Sequence, residues 1–164
     1  MSILGALRRV VGVLALGLAT THVMAEDAND EAVLLISGLT KEHSMSVNDL
    51  REIGETTYET STIWTEGIQS FTGVLLSDLL AHLDVTDGMM IATAINDYQI
   101  EFPVEDALEV GPMVAFFRNG ERMSVREKGP LWIVYPYDTG PEFQTEIVHA
   151  RSIWQLNRVS FETE

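Results

Sequence analysis

Short apolar runs punctuated by turn residues extend along most of this chain. AVLLIS, residues 32–37, is ended by Gly38 and has the pattern of a buried strand. SVNDLREIG, residues 46–54, switches to a helical period: Ser46 stands at the N-cap, Leu50 and Ile53 share a face, and Gly54 stops the run. TYETSTIW, residues 57–64, is β-branched and aromatic and predicts a strand. Residues 65–73 contain Gly67 and Gly73 and predict a loop. In LLSDLLAHL, residues 75–83, Leu75, Leu76, Leu79, Leu80 and Leu83 recur at helical spacing.

The second half is richer in strands. MMIATAI, residues 89–95, predicts a strand, NDY a turn, and QIEF its return. Pro103 opens a short helix, PVEDALEV, whose early acids suit the positive end of a helix dipole. MVAFFR and ERMSV flank Asn119-Gly120, a strong hairpin signal. Gly129-Pro130 breaks the chain before LWIVYPY, a bulky apolar run ending with Pro136 and Tyr137, and SIWQLNRVSF predicts a final strand. Strands dominate, with two or three short helices between them. The mixture predicts an α+β fold built on a curved, antiparallel or mixed β-sheet. No internal repeat or long linker divides the chain, so one domain is expected.

The start has a different character. Arg8 and Arg9 precede the apolar run VVGVLALGLA, and Val23-Met24-Ala25 follows with small or short residues at the cleavage positions. This is the order of a secretory signal peptide, over residues 1–25. The apolar run is shorter than the roughly 20 residues a membrane-spanning helix needs. Because no cysteine follows it, a lipoprotein anchor is excluded. The alternative is a retained membrane anchor. Residues 26–31, EDANDE, then form an acidic leader to a domain covering residues 26–164. The expected location is periplasmic or secreted, with no stable membrane anchor.

Charge narrows the partners. Loss of Arg8 and Arg9 with the signal leaves eight Lys and Arg against 25 Asp and Glu, a formal charge of −17. Such a balance disfavours nucleic acid and anionic lipid. Exported domains often rely on disulfides, but this chain has no cysteine, so its core must stabilise it alone. A chain of this size buries about two thirds of its unfolded surface, enough for that purpose.

Familiar catalytic patterns are missing. There is no P-loop, G-x-S-x-G or G-x-G-x-x-G, and His43, His82 and His149 lack the spacing of a zinc site. Two distributions stand out. Six of the eight remaining basic residues lie between positions 118 and 158: Arg118, Arg122, Arg126, Lys128, Arg151 and Arg158. They either form a local anion pocket or pair with neighbouring acids. The aromatic residues Trp64, Trp132, Tyr135, Tyr137 and Trp154 either fill the core or wall a flat ligand. Core is the default for Trp154; Trp132 and Tyr135, just after the Gly-Pro break, stay open between the two.

Taken in order, FTGVLLSDLL, AINDYQIEFP, FFRNGERMSVREKGPLWIVYPY and RSIWQLNRV resemble the molybdopterin-binding domain of the sulfite-oxidase family, in its small exported stand-alone form. Gly73-Val74, Leu76, Leu79 and Leu80 match its G-V-x-L-x-x-L-L helix start. Asp97 and Tyr98 match its D-Y turn, and Asn119-Gly120 its hairpin. Gly129, Leu131 and Pro136 match its Gly-Pro strand, and Trp154 its closing tryptophan. The resemblance covers roughly residues 33–161 and implies a sulfite-oxidase-type molybdopterin-binding fold.

Three departures bear on function. The family's metal-ligating cysteine falls within TTYETSTIWTE, with Thr60 or Thr62 at its place, and a neutral hydroxyl is a poor substitute for a soft thiolate. Trp132 stands where the enzymes often carry an arginine, and Ile153 replaces the lysine before the closing tryptophan. The resemblance therefore implies a binding or sensing module for a small anionic or flat ligand. Thr60, Thr62, Trp64, Asp97, Tyr98, Arg126, Lys128 and Trp132 are its candidate residues. Thr60 and Thr62, two apart in a strand, are expected to share a face. No cofactor is expected. An oxidoreductase that holds molybdopterin without a cysteine ligand is the alternative, and a periplasmic protein partner a further expectation. Signal cleavage is expected to leave Glu26 as the first residue. Intact-mass measurement of the exported protein checks this, and a retained Met1 would overturn it.

Overall fold

The computed structural model describes residues 31–108 and 111–162; the signal segment, its cleavage site and nearly all of the acidic leader lie outside them. The elements run β1 (Ala32–Ser37), β2 (His43–Ser46), α1 (Val47–Ile53), β3 (Thr56–Thr60), β4 (Gln69–Leu75) and α2 (Leu76–His82). They continue with β5 (Met89–Ala94), β6 (Gln99–Pro103), α3 (Val104–Leu108), β7 (Met113–Arg118), β8 (Glu121–Arg122), β9 (Leu131–Val134), α4 (Glu146–Arg151) and β10 (Trp154–Glu162). Single 3-10 turns occur at Val125–Glu127, Tyr137–Thr139 and Pro141–Phe143.

The strands make one mixed, curved sheet in the order β2-β1-β10-β9-β7-β4-β3. β1 runs parallel to β10, and the other pairings are antiparallel. β10 is the branch point. Its start pairs with β9, its later residues with β1, and much of its length with β5, which carries β6 outward. The predicted α+β class, with a mixed sheet and short helices, is the architecture found.

The helices form where the sequence places them. Ser46 caps α1 in a capping box: its hydroxyl accepts the Asp49 N–H at 3.1 Å, and its own N–H donates to the Asp49 carboxylate at 2.7 Å. The Ser46 N–H first, and then its hydroxyl, which donates to the same carboxylate at 2.7 Å, hold the Asp49 carboxyl below its ordinary range. α1 buries Val47 and Leu50, and α2 buries Leu76, Leu79 and Leu80. Their apolar faces meet Phe71, Val74, Met113 and Val114 from the sheet in one core.

Four expectations need correction. β3 stops at Thr60, because Asp138 takes both the N–H and the hydroxyl of Ser61 and the chain then turns. Thr62 therefore lies outside the strand and does not share a strand face with Thr60. Of the loop expected over residues 65–73, residues 69–73 belong to β4. Gly73 marks a bulge where β7 crosses closely, and a Cβ there would lie 2.2 Å from the Val114 carbonyl oxygen. β1 is buried on one side only, through Leu34 and Ile36, while Leu35 faces out. β2 and α4 carried too little periodicity to be anticipated.

The imperfect alternation in the last strand also has a physical cause. Gln155 has a left-handed backbone (φ 52), and the register slips on both flanks of Leu156. Leu156, Val159 and Phe161 are buried, a spacing that only a bulged strand allows.

The close crossing at Gly73 gives a direct test. Gly73→Ala forces a methyl into the β7 backbone and is expected to cost about 1–3 kcal/mol, the usual range for overpacking. Urea denaturation measures this, and an unchanged midpoint would refute the close approach.

Candidate functional site

Trp64 is the centre of an aromatic cluster assembled from four parts of the chain. Its ring meets those of Trp154 at 5.5 Å, His149 at 5.6 Å, Trp132 at 5.9 Å and Tyr137 at 6.2 Å, each edge to face. Such pairs contribute about 0.5–1.5 kcal/mol each beyond area burial. The turn after β3 aims Trp64: the Thr62 hydroxyl accepts the Trp64 N–H at 3.0 Å and is bonded to the Thr65 hydroxyl at 2.8 Å.

Ser152 fastens the opposite side. Its carbonyl accepts the Trp132 indole N–H at 3.1 Å. Its hydroxyl accepts the Tyr137 O–H at 2.7 Å and donates to the Val148 carbonyl at 2.8 Å. Burial pushes the Tyr137 hydroxyl up to about 12, so it remains a neutral donor, and burial likewise raises Tyr135.

Beside this cluster lies a cleft of about 360 Å³ walled by Trp64, Asn96, Tyr98, His149 and Trp154, with Ala94, Ala150, Ser152 and Ile153 completing it. None of these residues is a lysine, arginine, aspartate or glutamate. Trp154 is 36% exposed and Tyr98 55% exposed at its rim. A wider, open depression of about 500 Å³ beside α1 brings His43 and His82 near Lys41 and Asp49. It lacks the aromatic walls that give the first cleft its chemistry.

The stretch expected to stand at the family's metal ligand is tied down. Thr60 is 1% exposed, and its hydroxyl accepts the Asp138 N–H at 3.2 Å and donates to the Ser61 carbonyl at 3.3 Å. The Asp138 carboxylate takes the Ser61 N–H and hydroxyl, each at 2.6 Å. The hydroxyl bond first, then the N–H bond, hold the Asp138 carboxyl below its ordinary range. These residues do not fit a thiolate-ligated molybdenum. The chain has no cysteine, and the buried threonine already uses its hydroxyl. Among the described residues, no three His, Cys, Asp or Glu side chains group to hold a metal.

The structure divides the candidate residues. Trp64 and Tyr98 meet at the cleft. Trp132, fully buried, backs Trp64 and Trp154 from the core and does not line the cleft. The Lys128 ammonium stands 4.5 Å from the Trp154 ring centre and 5.7 Å from that of Trp132. Asp97 lies on the outer turn and pairs with Arg158. Arg126 is exposed on a 3-10 turn, apart from the cleft. The basic segment does not converge on an anion: Arg118 pairs with Glu127 at 3.7 Å and Arg151 with Asp106 at 2.7 Å. Asn96, His149 and Trp154 were not among the candidates. The Thr145 cap of α4 was the available signal for His149; the exposure of Trp154 follows from the Gln155 backbone, which no residue pattern announces.

The Asp138 contacts predict an acid-sensitive turn. A carboxyl whose folded pKa is depressed stabilises the fold above its ordinary value, here 3.8, and that contribution is lost as pH falls through the folded value. The contribution of Asp138 is therefore expected to hold from pH 7 down to about pH 5 and to be lost in the more acid range, read there as a shift of tryptophan emission. In Asp138→Asn the shift tied to this carboxyl should vanish. A variant with an unaltered acid transition would show that Asp138 does not hold the turn.

Comparison with known proteins agrees with the fold. Residues 21–143 match the model of the oxidoreductase molybdopterin binding domain. The crystal structure of the sulfane dehydrogenase SoxCD from Paracoccus pantotrophus is similar at a TM-score of 0.60 and 23% identity, over 84% of this chain and 39% of that one. The chain thus spans well under half of that relative, and the likeness is one of fold. No curated protein matches. With three quarters of its length matched and the sulfite-oxidase-type architecture in place, the chain belongs to the oxidoreductase molybdopterin binding domain family.

Proposed function

We propose that this protein is a non-catalytic member of its family, an exported module that binds a small flat ligand in the aromatic cleft. The observation that carries the reading is the cleft itself: about 360 Å³ of concave surface walled by Trp64, Tyr98, His149 and Trp154. Apolar concavities with a few polar groups are the usual form of a small-molecule site. The stretch that would present a thiolate instead orients Trp64, through the Thr62 hydroxyl and the Ser61–Asp138 bonds. The lining has no lysine or arginine, which favours the flat ligand over the anionic one.

Location outside the cytoplasm rests on the signal pattern of residues 1–25. Among the described residues, no helix is long and apolar enough to cross a membrane. The second reading, an oxidoreductase that holds molybdopterin through the cofactor's own sulfur atoms and solvent, is favoured by family membership.

Elemental analysis separates the two. Protein purified from a host that makes the cofactor is expected to carry molybdenum far below one atom per chain. It should also show no sulfite oxidation. Stoichiometric molybdenum that persists through gel filtration would restore the enzyme reading.

A further inference from the structure

We infer that the cleft selects a planar organic cation, an aromatic ring carrying a fixed positive charge; this rests on the flat-ligand reading above and specifies its chemistry. Ring faces carry negative potential, so a cation held against them is attracted where a neutral ring of equal shape gains only contact. Trp64 and Trp154 meet at 65° and Trp64 and His149 at 80°, so the three rings present differently tilted faces and edges around one space, with Tyr98 at its rim. No carboxylate, lysine or arginine lines that space.

The protein already uses this attraction. The Lys128 ammonium lies within cation–π distance of Trp154, a ring that also forms part of the cleft wall. The arginines elsewhere on this face do not make the surroundings positive, since Arg158 faces Asp97 and Arg151 faces Asp106. The chain as a whole has 25 acids against 10 Lys and Arg, a field that gathers cations. Lys128 therefore sets a positive charge against a ring of the cleft wall, and it opposes an incoming cation.

Three probes of nearly one shape test the assignment: 1-methylnicotinamide, a cation; 3-methylbenzamide, its neutral isostere; and 3-methylbenzoate, an anion. Titration into the purified protein, followed by tryptophan fluorescence and calorimetry, is expected to show the cation binding about tenfold more tightly than the neutral isostere, the scale of a desolvated cation–π contact. The anion should bind most weakly. Tyr98→Leu, at an exposed rim position, should weaken the cation several-fold without unfolding the protein. Lys128→Met, which keeps the stem and removes the charge, should tighten the cation and leave the neutral probe unchanged. Equal affinity for cation and neutral isostere, or no effect of Lys128→Met on the cation, would overturn the charge preference and leave the flat-ligand reading standing. Tightest binding by the anion would also overturn it. If none of the three binds, both readings fall.

Discussion

The aromatic site depends on Ser152. This residue is almost fully buried, and each of its polar groups on the loop side is engaged: the carbonyl takes the Trp132 indole, and the hydroxyl takes Tyr137 and gives to Val148. Those bonds join β9, the turn after it, α4 and the approach to β10. Indole and phenol groups so buried would each leave an unpaired donor without these partners, at a cost of about 1–3 kcal/mol. Because Trp132 and Tyr137 are held, Trp64 has two fixed rings to pack against. His149 and Trp154, the other two, lie within three residues of Ser152.

The same logic explains how a chain without cysteine keeps a fold associated with a bound metal. A thiolate ligand is one side chain on one turn. The core that positions the turn, from Phe71 and Trp132 through Phe116 and the leucines of α1 and α2, is complete in itself. In this chain hydrogen bonds hold the turn. Asp138 reaches across to Ser61, and Thr60 closes the contact from the other side. Charge-assisted bonds to the Asp138 carboxylate fix Ser61, and the Asp138 N–H fixes the Thr60 hydroxyl. The residue they deliver to the site is Trp64.

Much of the architecture was legible because local and tertiary forces agree there. The Ser46 cap, the leucine spacing of α2 and the Asn119-Gly120 hairpin carry information within a few residues, and each formed where the pattern put it. The family motif glycines were legible as letters, but their reason was not. Gly73 has the local look of a loop residue because its constraint comes from the Val114 backbone some 40 residues away, beyond any local window. The aromatic set was visible by composition, yet core and cleft could not be separated. Trp132 and Trp154 face each other across β9 and β10, one fully buried and the other partly exposed.

What separates them is the backbone of Gln155. Its left-handed conformation is uncommon for a residue with a side chain and costs about 1–3 kcal/mol, so surrounding contacts must hold it. They do so on both sides of the cleft. The Gln155 N–H donates to the Lys128 carbonyl, its carbonyl accepts the Ile95 N–H, and its side-chain amide donates to the Val125 carbonyl. The first and third contacts place the turn that carries the Lys128 ammonium; the second places the turn that carries Asn96 and Tyr98. One residue therefore breaks the alternation of β10, turns Trp154 toward the cleft, and positions the two loops that flank it. A regular strand there would shift Trp154 relative to Leu156 and close the register that opens the site, so the irregularity is a condition for the cleft and not a defect of the sheet.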